Sequence, residues 1–174
     1  YFSLLAQVEV GVTGKPWADD FFVTASYSKV DKELQTGSVQ TKVYGMAERN
    51  GSAYNVSARY RKKDFLLKGL QMHSFLSHTW DYSLTVDTAY RVYDWNGDYI
   101  ESSRNEITGR ERSLRHYKRP TTMFRSNWDY RIGPQHALNV NYLLNRTGND
   151  RYDEVDSSFE PSNDVVCKHI IGLS

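Results

Sequence analysis

The chain has 174 residues, 39% of them apolar and 25% charged, with a formal net charge of +1 in which Lys and Arg are interspersed among Asp and Glu. That balance offers no electrostatic reason for a nucleic-acid partner, and the single cysteine, Cys167, excludes an internal disulfide framework and a multi-cysteine metal site. The aromatic share is the outlier: thirteen Tyr, seven Phe and four Trp suit pleated surfaces better than helices.

The first segment alternates Phe2, Leu4, Ala6, Val8, Val10 and Val12 with Ser3, Gln7, Glu9, Gly11 and Thr13, which predicts a long strand ended by Gly14 to Asp20. A second strand follows from Phe21, with Val23, Ala25 and Tyr27 on its apolar parity, and the polar stretch Asp31 to Gly37 closes it. A third, weakly patterned strand is expected over Val39 to Ala47. Arg49-Asn50-Gly51-Ser52 reads as a turn, since Asn-Gly supplies the positive φ angles of a tight hairpin. The fourth strand carries Tyr54, Val56, Ala58 and Tyr60. A fifth runs from Leu70 to Thr79, a short turn is expected at Trp80-Asp81-Tyr82, and a sixth runs from Ser83 to Tyr93 with Leu84, Val86, Tyr90 and Val92 in phase. Asp94 to Pro120 and Arg146 to Asn163 read as long polar loops, and Val165 to Leu173 as a last strand.

Between those loops lies the clearest unit, Thr121 to Asn145. Phe124, Trp128, Tyr130 and Ile132 share one parity of the first arm; Leu138, Val140, Tyr142 and Leu144 share one parity of the second. Gly133-Pro134-Gln135-His136 joins the arms as a tight turn. Each arm approaches the ~9–11 residues with which a tilted strand crosses a bilayer. No run reaches the ~18 apolar residues of a membrane helix. A negative mean hydropathy is no obstacle to a barrel, because half of every strand faces a polar lumen.

Tight connections alternate along the chain with longer ones, as in outer-membrane barrels with short turns on one side and long loops on the other. Aromatics beside the expected tight turns, Trp17 and Phe21, Trp80 and Tyr82, Trp128 and Tyr130, form the sequence image of a membrane-interface girdle. The expected fold is all-β: an antiparallel up-and-down meander of about nine strands, part of a larger transmembrane β-barrel.

The segments LTVDTAYRVYDWNGDY, WDYRIGPQHALNVNYLLN and SNDVVCKHIIGLS resemble barrel strands of TonB-dependent outer-membrane receptors, especially those of Bacteroidetes. The resemblance implies that residues 1–174 are a partial barrel domain, with the plug domain and C-terminal strands absent, in an architecture of about 22 strands. It further implies a bacterial outer-membrane location and energised uptake of a scarce nutrient: a siderophore, vitamin, glycan or peptide. The implied partners are outer-membrane lipid, that nutrient ligand, and the TonB complex through the plug.

Other chemistry is sparse. The five histidines form no HExxH or similar pair, and Asp150, Asp153, Glu154 and Asp156 depart from calcium-loop spacing, so a solvated acidic loop is expected. No Ser, His and acid arrangement supports an enzyme, and no cofactor or metal is expected. The one ligand-binding candidate is the basic segment with Arg104, Arg110, Arg112, Arg115, Tyr117 and Arg119, read as a long loop suited to an anion. Two rival readings are a soluble antiparallel barrel or sandwich that turns its apolar parity inward around a ligand, and an enzyme on a small outer-membrane barrel.

Overall fold

Alternating apolar and polar side chains over long stretches, separated by Gly, Pro and charged connections, produce nine strands in a computed structural model that describes residues 1–37 and 40–174. They are β1 (Phe2–Lys15), β2 (Ala18–Glu33), β3 (Glu48–Lys62), β4 (Leu70–Asp87), β5 (Arg91–Tyr93), β6 (Tyr99–Glu101), β7 (Ser113–Arg131), β8 (Ala137–Asp153) and β9 (Ser162–Leu173). Seven of them form one sheet in the order β1-β2-β3-β4-β7-β8-β9, with every neighbouring pair antiparallel. The ribbon β5-β6 stands apart, inside the connection between β4 and β7. The all-β antiparallel meander expected from alternation is what the chain forms.

Register converts parity into faces. The cross-strand row Val8, Ala25, Val56, His78, Thr122 lies on one side of the sheet, as do Val10, Val23, Ala58, Leu76, Phe124 and Leu144 in the next row. The opposite side carries rows such as Glu9, Thr24, Ser57, Ser77, Met123 and Asn145. Among the described residues only Ala18 and Ala47 are buried apolar groups, so no second layer covers the apolar face. Leu84, Val86, Leu138 and Val140 stay on that open face, none of them buried.

Several boundaries differ from the expected ones. Arg49-Asn50-Gly51-Ser52 is no turn: Gly51 is paired with both Val30 and Ser83 inside β3. A Cβ on Gly51 would stand 3.2 Å from Val30 Cγ1, so the glycine there accommodates a neighbour instead of a turn. The expected third strand does not form over 40–47, which hold only isolated pairings such as Val43 with Tyr93; Val39 lies outside the described residues.

Trp80-Asp81-Tyr82 is likewise no turn, and β4 passes straight through it. Trp80 pairs with Tyr54 on one side and Pro120 on the other. The even parity of Leu70, Met72, Leu76, Trp80, Leu84 and Val86 is unbroken, which is the periodicity of one strand, and that strand ends at Asp87 instead of Tyr93. At the other end of the meander, β7 begins at Ser113 and β8 continues to Asp153, so both expected long loops are shorter. Short connections, Pro16-Trp17, 63–69 and 132–136, lie at one end of the sheet; 34–47, 88–112 and 154–161 lie at the other.

Candidate functional surfaces

At the short-turn end the apolar face finishes in a row of rings. Trp17 meets Phe21 edge-on with centroids 5.6 Å apart, and the Tyr60 hydroxyl donates to the Trp17 carbonyl at 2.6 Å. Tyr60 meets Phe65 at 6.3 Å, Phe65 meets Trp128 at 5.6 Å, and Tyr130 pairs with Leu70 one step beyond. Trp17, Phe21, Trp128 and Tyr130 thus stand where the tight-turn reasoning puts them, and Tyr60 and Phe65 complete the row.

Trp80 and Tyr82 do not. Trp80 sits mid-strand in a second row, Tyr27, Tyr54, Trp80 and Pro120, with Tyr27 and Tyr54 centroids 4.7 Å apart. Tyr82 lies just past it, its Oη 2.8 Å from Nδ1 of His116, whose ring stacks on Tyr152 at 4.5 Å. Between the two rows this parity is mostly aliphatic or aromatic, interrupted by Ser74, Ser126, His78, Thr122, His169 and the exposed Arg146. From Tyr130 to the level of Trp80 the strands run about 33 Å at ~3.3 Å per residue.

Past the second row β7 and β8 continue with polar groups on both faces, and the sheet ends in a platform of satisfied carboxylates. Asp87, 2% exposed, accepts N–H bonds from Glu106 and Ile107 at 3.0 Å and from Thr108 at 3.4 Å. Burial raises its carboxyl above the ordinary aspartate range while those N–H groups oppose the rise. Glu106 in turn accepts the amides of Gly45 at 2.9 Å and Met46 at 3.1 Å, and the Tyr93 ring occupies the space where a Gly45 side chain would be. Gly45 and Met46 are thereby tied to the 88–112 connection.

Asp153 and Asp156 belong to this platform as well, so the acidic run is not the solvated loop expected. Asp153 accepts from Ser113 Oγ at 2.5 Å and from the amides of Leu114, Val155 and Asp156, and Asp156 accepts from Ser158. Burial alone would raise the Asp153 carboxyl, but these donors outweigh it and hold the group below the usual 3.8.

The basic segment does not converge on one loop site. Arg104, Arg110 and Arg112 are exposed on the 88–112 connection, Arg112 lying over the Tyr90 ring at 5.0 Å. Arg115, Tyr117 and Arg119 are strand residues on the polar face of β7, a correction that follows from pairing with β4 and β8 where neither face offers an apolar alternation to read. Arg115 is already engaged, 3.5 Å from Asp153 and over the Phe159 ring at 4.4 Å.

The polar face holds what the sequence reading missed: an open concavity of about 740 Å³ whose lining includes Arg59, Phe75 and Arg125. These three belong to different strands, and only the register, Arg59 with Phe75 and Phe75 with Arg125, brings them side by side. Toward the turn, Asn127, Asn141, Asn139 and Asp129 form a chain of side-chain hydrogen bonds. Comparison of the chain with family models, curated proteins and solved structures returns no match.

Proposed function

We propose that the chain is wall of a transmembrane β-barrel in a bacterial outer membrane, a segment of a TonB-dependent receptor engaged in uptake of a scarce nutrient. One observation carries the membrane half of this reading: a mostly apolar face, running across seven strands and uncovered among the described residues, is bounded by two aromatic rows about 33 Å apart along the strands, a height of about 25 Å at the roughly 40° tilt that barrel strands take. That height matches a barrel's lipid-facing band, and rings at both rims suit the two interfaces. The opposite face is polar, as a lumen requires. Connection lengths segregate by end, and the long-connection end is built as a rigid platform from which exposed Arg104 and Arg110 project.

The receptor half rests on the resemblance of 84–99, 128–145 and 162–174 to TonB-dependent barrel strands. In that reading the nutrient meets the long-connection end, and the TonB complex engages a plug contributed from outside these residues. A soluble module with its apolar parity turned inward is disfavoured by the uncovered face, since burial of that parity is what would hold such a module together.

Spin labelling tests the lipid assignment. With Cys167→Ser as background, nitroxides at Leu76→Cys and Leu144→Cys in lipid vesicles are expected to collide mainly with oxygen, which concentrates in hydrocarbon. Labels at Ser77→Cys and Asn145→Cys are expected to collide mainly with a water-soluble nickel complex. Equal nickel access at all four positions would overturn the reading.

A further inference from the structure

On the polar face one cross-strand row reads Gly11, Phe22, Arg59, Phe75, Arg125, Leu143. Its parts fit together locally. A Cβ on Gly11 would stand 2.4 Å from the Phe22 ring, so glycine there lets that ring lie down over β1. The Arg59 guanidinium then stacks over the same ring at 5.0 Å. Its nearest carboxylate, Glu9, is 3.9 Å away, the outer limit of an ion pair. In the adjoining row Arg61 is committed to Asp20 at 3.0 Å. Arg125 is exposed, and among the described residues it makes no ion pair.

The concavity therefore carries three guanidiniums against the single carboxylate of Asp20, and two of the three are not neutralised at close range. Arg59 and Arg125 lie on strands either side of Phe75, so their backbones are about 10 Å apart, two strand spacings. A group above the Phe75 ring lies between the two, with Arg59 flanking it from over Phe22 and Arg125 from the other side. Guanidinium forks pair with carboxylate oxygens in a planar, bidentate manner, and an aromatic floor favours a flat apolar body beside the charge.

We propose that this row is a binding site for a small aryl carboxylate, the carboxylate held between Arg59 and Arg125 and the ring resting on Phe75. The site uses only the polar face and so stands apart from the lipid-facing assignment.

The test is titration of the chain, folded in detergent micelles, with para-fluorobenzoate followed by fluorine NMR line broadening. Saturable binding, displaced by unlabelled benzoate, is expected, with para-fluorobenzamide much weaker. Arg125→Gln is expected to weaken binding roughly tenfold or more, as loss of a charge-assisted pair does, with Arg125→Lys intermediate. Arg104→Gln is expected to leave it unchanged. Absence of displaceable binding in the unsubstituted chain, equal binding of the amide, or an unchanged affinity in folded Arg125→Gln would each overturn the proposal. Should Arg125→Gln not fold, the comparison of benzoate with benzamide on the unsubstituted chain decides.

Discussion

Pro120 rests its ring against Gly148 of the neighbouring strand: a Cβ on that glycine would stand 3.0 Å from Pro120 Cγ and 3.4 Å from Cδ. Proline removes a ladder donor and is unwelcome in a central strand, and the β7-β8 pairing is interrupted there between Lys118 and Thr121. Gly148 provides the room that lets β7 continue regardless. Gly148→Val is expected to destabilise the folded chain by about 1–3 kcal/mol through overpacking, read as a lowered urea midpoint in lipid vesicles. Adding Pro120→Thr, which removes the ring, is expected to recover most of the loss.

Leu76 and Ser77 are adjacent in β4 and face opposite sides of the sheet, Leu76 between Ala58 and Phe124, Ser77 between Ser57 and Met123. Leu76 lies midway between the aromatic rows. Leu76→Arg is expected to cost roughly 2–4 kcal/mol, the penalty for arginine at a bilayer midplane. Ser77→Arg is expected to stay within about 0.5 kcal/mol, as a substitution on a hydrated surface does. The same urea titration compares them, and equal losses would contradict the two-faced assignment.

Glu106 is the peg between connections 34–47 and 88–112, through the amides of Gly45 and Met46. Glu106→Ala leaves those donors without a partner, a loss of about 1–3 kcal/mol for each group that stays buried. The effect is expected to be local: trypsin cleavage after exposed Lys42 accelerates while the urea midpoint of the sheet hardly moves. A sheet that destabilises as much as the loop would show that the platform and the strands unfold as one.

Asp153 gives a pH dependence with a defined sign. Its folded carboxyl titrates below 3.8 and its unfolded one near 3.8, so the ionised form stabilises the native state above that value. The contribution is lost as pH falls below 3.8 through the folded pKa, when protonation weakens the carboxyl as acceptor for Leu114, Val155 and Asp156. Amide shifts of Val155 and Asp156 followed by NMR during acidification are expected to move together over that range. In Asp153→Asn they are expected to be flat across the same range.

Alternation was enough to read strand character wherever one face of the sheet is apolar and the other polar. It located the β7-β8 hairpin, the turn 132–136 and the tight-turn aromatics Trp17, Phe21, Trp128 and Tyr130. It failed where strands run on past the apolar band. Over 113–120 and 146–153 both faces are polar, so no periodicity distinguishes a strand from a loop. These stretches are held by the ladder itself and by cross-strand pairs such as Arg115 with Asp153 and Lys118 with Asp150.

Local turn chemistry misled in two places for one reason. Asn50-Gly51 and Trp80-Asp81-Tyr82 have compositions that tolerate a turn, but each is flanked by strands on both sides that continue past it, and unbroken pairing outweighs a local preference. The chain's own residue order determined that it forms amphipathic antiparallel strands, because side-chain period is a local property of the backbone. Only the tertiary structure decided which residues share a row, and with it the two aromatic rims, the loop platform around Asp87 and Glu106, and the meeting of Arg59, Phe75 and Arg125. Cross-strand neighbours are set by register between segments far apart in the chain, which no single segment encodes.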